Sequence, residues 1–252
     1  MSGRLNGKVA IVTGGANGIG AATATLMVAE GAQVVIGDVD DERAAALAEQ
    51  LGTAAVSHHA DVRKESDIAT LVEAAIYRFG RLDVLHNNAV AALDADTDTV
   101  NTPDATWQEM FEVVIMAAVH GCRHAIPVMQ RTGGGSIVNM SSGAARAATG
   151  SKIAYGTMKG GLETLSLYTA NRYGVDGIRS NIVAPGFVLT DGTREIFDDA
   201  SIERFASMSA AGRLCTPEDV AEVVVFLASD ESRYVSGQVV SVNGGGSRSV
   251  AW

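Results

Sequence analysis

Seven short runs of strand character, each separated from the next by a stretch with helical spacing, constrain this 252-residue chain more than any other feature. Residues 9–12 and 33–38 are nearly continuous apolar runs, as parallel strands buried on both faces require. Further strands are expected at 54–59, 82–87, 136–140, 178–183 and 238–242. Helices are expected between them at 21–30, 40–51, 66–79, 104–130, 152–173 and 217–228. Strands that alternate with helices in this way form one parallel sheet joined by right-handed crossovers. The expected fold is therefore α/β, a single Rossmann-like doubly wound parallel sheet flanked by helices, in one domain spanning 1–252. No linker, composition break or solenoid repeat divides it. The polar, less regular stretch 190–211 is expected to form a lid.

The first strand stops at Thr13-Gly14-Gly15-Ala16-Asn17-Gly18-Ile19-Gly20. Glycines placed here let the backbone turn sharply and approach a pyrophosphate, whose charge is favoured at the N-terminus of the next helix. The spacing G-x-x-x-G-x-G differs from the commoner dinucleotide fingerprint. A tight strand-to-helix connection needs glycine as well. Asp38 adds context: it ends the second strand, 18 residues past Gly20. At that spacing a carboxylate hydrogen-bonds an adenosine ribose and repels a 2′-phosphate, which favours NAD over NADP. The competing reading of Asp38 is a helix cap before Asp40-Asp41-Glu42.

Tyr155 and Lys159 stand four residues apart, on one face of an expected helix. A neighbouring cation favours phenolate, so the pair is expected to lower the tyrosine pKa from its ordinary value of about 10 and to make an acid–base catalyst. Taken alone, the same spacing is common on surface helices.

A formal net charge of −10, with no basic run, argues against nucleic acid and anionic membrane surfaces as partners. Cys122 and Cys215 lack zinc-like spacing, which suggests reduced thiols in a cytoplasmic protein. Residues 1–8 carry no apolar signal core, and no stretch reads as a membrane span.

Together, the Thr13 to Gly20 turn, Asp38, Asp61-Val62, Asn87-Asn88-Ala89, Ser142, Tyr155 with Lys159, and Pro185-Gly186 with Thr190 resemble the classical short-chain dehydrogenase/reductase family over almost the whole chain. That resemblance implies an oxidoreductase in which Ser142 holds the substrate oxygen and Tyr155 exchanges the alcohol proton. Lys159 would lower the tyrosine pKa and bind the nicotinamide ribose. It further implies that NAD is bound by Gly14, Asn17, Gly18, Ile19, Gly20, Asp38, Asp61, Val62, Asn88, Ala89, Tyr155, Lys159, Pro185, Gly186, Val188 and Thr190. The substrate would be a small alcohol or ketone, apolar or cyclic beneath a lid that includes Phe187, Val188 and Leu189. The protein would be a homotetramer or homodimer. An acyl-carrier-bound 3-oxo substrate with NADPH is the rival within the family, and Asp38 argues against it. A dinucleotide-binding protein without chemistry is the rival outside it.

Two departures stand out. Val90 replaces the glycine usual after Asn-Asn-Ala, and Val114 stands where the family carries an asparagine that helps a water link the lysine to solvent. A valine keeps the backbone carbonyl, so the relay is expected to survive in weaker form. Asn243, where an aspartate often precedes the final glycines, is a milder change. Ser141 is expected to pack rather than react. His120, Cys122 and His124 do not share one helix face, so no metal site is expected. Asp94, Asp96 and Asp98 echo a calcium loop without its glycine or closing glutamate, and read as a solvated loop.

Overall fold

The computed structural model describes residues 3–91, 95–147 and 152–245. β1 (Val9–Thr13) is buried at every residue. It pairs in parallel with β2 (Gln33–Asp38) on one side and with β4 (Val84–Asn87) on the other. With β3 (Ala55–His59), β5 (Gly135–Met140), β6 (Ile178–Pro185) and β7 (Val239–Val242), the strands form one seven-stranded sheet in the order β3-β2-β1-β4-β5-β6-β7. The chain runs outward from β1 to β3, then returns to the opposite side of β1 at β4. That reversal opens a crevice beyond the carboxyl ends of β1 and β4, where ligands bind in open α/β sheets.

Successive strand residues point to opposite faces, and the core divides accordingly. On one face Val12, Val34 and Ile36 pack with Ala24 and Met27 of α1 (Gly18–Ala29) and Val224 of α10 (Pro217–Ala228). α2 (Asp41–Leu51) contributes Ala44 there. On the other face Ile11, Val35 and Ile137 pack with Leu71 of α3 (Glu65–Phe79) and with Met129. Leu71 is fully buried, so its truncation to alanine is expected to cost about 2–5 kcal/mol.

The long helix expected at 104–130 is found as three parts: α4 (Asp104–Met110), a π-helical turn (Phe111–Met116) and α5 (Ala117–Thr132). In the π-helical turn the Ala117 N–H reaches back five residues, to Glu112. The whole run Asp104–Thr132 is, by length and composition alone, apolar enough to cross a membrane, which the sequence reading did not allow for. In this fold α5 packs on α3, β4 and β5.

A four-residue helix, α6 (Ala144–Ala147), precedes α7 (Ile153–Tyr173) and was not expected. The stretch 190–211 is also more ordered than its polarity suggested. It holds α8 (Asp191–Ile196) and α9 (Asp199–Met208), capped locally by Thr190 and Asp198.

Candidate active site

The turn after β1 is built from glycines for two separate reasons. Gly14 has φ +61°, and a Cβ there would stand 2.8 Å from the Ala89 Cα. A Cβ on Gly20 would stand 2.0 Å from the Gly14 carbonyl oxygen, so Gly20 lets α1 close against the turn. Asn88 ties this turn to the end of β4: its Nδ2 donates to the carbonyls of Thr13 (3.1 Å) and Gly14 (2.9 Å). The Thr13 hydroxyl accepts from the Asn88 N–H at 3.1 Å. The amide of Asn88 thus serves the backbone of the turn.

Asp38 ends β2, where its two oxygens accept from the backbone N–H groups of Ala16 (2.9 Å) and Asp40 (3.0 Å). The cap of α2 is Asp40, which accepts from Arg43. Asp38 is therefore free of the capping role and faces the crevice from the glycine turn. Asp61, beyond β3, is gripped by Arg63 through Nε (2.8 Å) and Nη2 (2.9 Å), and that guanidinium holds its carboxyl below the usual carboxylate range.

Tyr155 and Lys159 lie in the first two turns of α7. The Lys159 Nζ is 5.5 Å from the centroid of the Tyr155 ring and donates to the Met140 carbonyl at 2.6 Å. Burial brings the lysine down to about 8. Burial also raises the Tyr155 phenol, while a side-chain hydrogen bond with Ser142 pulls it back. The phenol of Tyr155 therefore stands above its ordinary value, because the cost of placing phenolate out of water exceeds the pull of the Ser142 hydrogen bond. Ser142 also accepts from the Ala144 N–H at 3.2 Å. A Cβ on Gly156 would lie 3.0 Å from the Ala144 carbonyl, so a glycine beside Tyr155 lets α6 approach α7 closely. Ser141 is 2 % exposed and donates to Glu163 at 3.0 Å, away from the tyrosine.

Val114 lies in the π-helical turn and packs with Ala118, Leu162, Ile182 and Ala184. It also lines a small space of about 10 Å³ shared with Thr13, Asn87 and Lys159. That is near the minimum for one water, and three of the walls are polar side chains.

Apart from Gly20, every residue that the sequence placed in the catalytic or dinucleotide site lines a single cleft of about 790 Å³. Gly14, Asn17, Gly18, Ile19, Asp38, Asp61, Val62, Asn88 and Ala89 line it together with Ser142, Tyr155, Lys159, Pro185, Gly186, Val188 and Thr190. Gly20 packs on the Gly14 carbonyl at the start of α1. Thr190 overlies the glycine turn, with its Cγ2 3.4 Å from where a Cβ on Gly18 would stand.

Arg63 also lines the cleft and was missed, because an isolated arginine two residues past an aspartate carries no signal in sequence. Phe187 lines it too, and stacks on Phe205 (4.5 Å) while meeting Phe197 edge-on (5.3 Å). Half of the chain's six phenylalanines therefore join the turn after β6 to α8 and α9.

His120 and His124 both reach Glu65, at 3.4 Å and 3.1 Å, in company with Arg123. Among the described residues no three His, Cys, Asp or Glu side chains converge as a metal site. Of the three alternating aspartates, Asp94 lies outside the described residues.

A glycine-rich turn at the switch point of a parallel sheet, with a cleft large enough for a dinucleotide, defines a nucleotide-binding α/β class. Residues 14–247 match the family described as enoyl-(acyl carrier protein) reductase. The mitochondrial borneol dehydrogenase of Lavandula x intermedia is 40 % identical over 96 % of this chain and 91 % of its own length. A 3-alpha-(or 20-beta)-hydroxysteroid dehydrogenase of Mycobacterium tuberculosis is 39 % identical over 97 % and 91 %. The 3-oxoacyl-[acyl-carrier-protein] reductase FabG of Thermotoga maritima is 36 % identical over 96 % and 98 %. The crystal structure of a short-chain dehydrogenase/reductase from Brucella melitensis, titled glucose/ribitol dehydrogenase, superposes with a TM-score of 0.89. It is 28 % identical, and the match covers 97 % of this chain and 98 % of that one. The chain belongs to the short-chain dehydrogenase/reductase family, whose members are oxidoreductases using a nicotinamide dinucleotide.

Proposed function

We propose that this protein is an NAD(H)-dependent oxidoreductase that interconverts a secondary alcohol and a ketone. The observation that carries this reading is the convergence of Ser142, Tyr155 and Lys159 on one cleft with the glycine turn and Asp38. When bound, the dinucleotide supplies or accepts the hydride. The chain's own residues handle the proton and the substrate oxygen. Ser142 hydrogen-bonds that oxygen, and Tyr155 gives it a proton or takes one away. A buried phenol with a raised pKa keeps its proton at neutral pH, which suits proton donation to a ketone. Lys159 sets the positive charge beside it.

Asp38 supports NAD: a carboxylate fixed by two backbone N–H groups at the ribose end of the cleft repels a 2′-phosphate. The phenyl cluster of Phe187, Phe197 and Phe205 supports an apolar or cyclic substrate, since it builds the lid from rings. The names of two relatives, a borneol and a hydroxysteroid dehydrogenase, refer to cyclic alcohols. Exposed Leu167 and Tyr168 on α7 suit association into a homodimer or homotetramer. Two unpaired cysteines suit a cytoplasmic setting.

The test is a panel of cyclic and acyclic secondary alcohols and ketones with NAD(H) and NADP(H), followed by dinucleotide absorbance. Turnover with NAD(H), abolished by Tyr155→Phe, is expected. Equal or better use of NADPH, with a preference for 3-oxoacyl thioesters, would replace this reading with the carrier-bound one. Tight NADH binding without turnover on any member of the panel would make the protein a dinucleotide-binding one without chemistry.

A further inference from the structure

The helix that carries Tyr155 does not cap itself. Lys152, at its N-cap, makes no capping side-chain bond and holds φ 102° and ψ 49°. Among the described residues it is the one non-glycine with positive φ. The helices α2, α8, α9 and α10 all use a local Asp or Thr for this purpose. For α7 the acceptor comes from Asp96, 58 residues earlier. Its Oδ1 accepts from the Ala154 N–H at 3.1 Å and its Oδ2 from the Tyr155 N–H at 2.8 Å. The Asp96 residue is fully buried. A second tie runs beside it, from the Lys152 N–H to the Thr97 carbonyl at 3.0 Å. The segment itself is braced, with the Thr97 N–H donating to the Thr102 hydroxyl at 2.9 Å.

A buried carboxylate is a costly way to satisfy two N–H groups. What the long-range arrangement adds is a fixed point on the backbone of the tyrosine itself. We propose that Asp96 is the positioning residue for Tyr155: by holding the first turn of α7 through the Ala154 and Tyr155 N–H groups, it keeps the phenol buried beside Ser142. This rests on the reading of Tyr155 as the acid–base group. The geometry carries a direction as well. An anchor that keeps the phenol out of water holds the proton on. The other groups that bear on the phenol are Ser142, which hydrogen-bonds it, and Lys159, one turn along the same helix.

The test compares Asp96→Ala with Asp96→Asn, which keeps one acceptor oxygen. Displacing a reacting group by about 1 Å can cost about 100-fold, so kcat is expected to fall by that order in Asp96→Ala and by about 10-fold in Asp96→Asn. NADH affinity, read by fluorescence, should stay within about twofold on the same argument, because the glycine turn and Asp38 are untouched. Tyr155 ionisation is read as the tyrosinate absorbance lost when Tyr155→Phe is added to each background. It should move to lower pH in Asp96→Ala. Unchanged kcat and ionisation would overturn the proposal. So would a loss of NADH affinity and thermal stability in step with kcat in both variants, since Asp96 would then only hold the fold. If Asp96→Ala does not fold, Asp96→Asn carries the same comparison. If wild-type protein turns over none of the alcohols, the assigned reaction fails, and the Tyr155 titration still decides the role of Asp96.

Discussion

Lys159 stands 5.5 Å from the centre of the Tyr155 ring, yet its hydrogen bond goes to the Met140 carbonyl at the end of β5. The cation is thus fixed to the sheet beside the tyrosine. Such a placement fixes the lysine beside the tyrosine while both line the cleft.

Burying that ammonium has a thermodynamic signature. The folded group titrates near 8 and the free side chain near 10.5. Between those values the unfolded chain binds one proton more, so stability rises with pH through this window and is lowest below it. At about 1.4 kcal/mol per pKa unit the rise is at most about 3.5 kcal/mol. Urea unfolding of wild type and Lys159→Met at several pH values between 7 and 10.5 isolates the effect. The wild type should gain on the variant as pH increases, and parallel curves would contradict the buried charged lysine.

Asp38 should decide the cofactor. Asp38→Ser removes the charge at the ribose end, so the ratio of kcat/KM for NADH over NADPH is expected to fall by about 10-fold or more, equivalent to about 1.4 kcal/mol. Asp38→Asn keeps an acceptor for Ala16 and should show the same drop with less loss of overall activity. A ratio that does not move in either variant places the discrimination elsewhere.

Val114→Asn restores an amide beside the space shared with Lys159. Turnover should rise several-fold with an altered pH profile, because the amide can hold a water on the lysine's path to solvent. Val114 is 3 % exposed among apolar side chains, so the variant should also lose about 1–3 kcal/mol of stability. Steady-state rates across pH, set beside thermal unfolding, read both effects. An unchanged rate and profile would mean that the proton leaves by another route.

The sheet was legible in sequence because strands such as 9–12 and 33–38, buried on both faces, leave almost no polar residue to disguise them. The cleft was legible because glycine turns, Asp38 and the Tyr155 pair sit at strand or helix ends, where spacing fixes position. Other features depend on neighbours far along the chain. Asp96 looked like part of a solvated acidic loop, since nothing local shows that the start of α7 lies over it. The burial that raises the Tyr155 phenol is another such feature, because four-residue spacing reports a cation and says nothing of burial. The 2.0 Å approach of Gly20 to Gly14 also depends on the folded turn. The helices at 191–196 and 199–208 are short and polar, so their caps were the available signal, and Thr190 and Asp198 were not read as such.

The π-helical turn at Phe111–Met116 amounts to one surplus residue in the 29-residue run Asp104–Thr132. One residue is about 100° of rotation on a helix. The part before it can therefore turn its apolar side to α7, while the part after it turns to α3 and the sheet, without a break in the rod. Length is thus a constraint of its own: a one-residue deletion between 111 and 116 would preserve composition and helicity yet swing Val114 away from Lys159, uncoupling two residues that no substitution had touched.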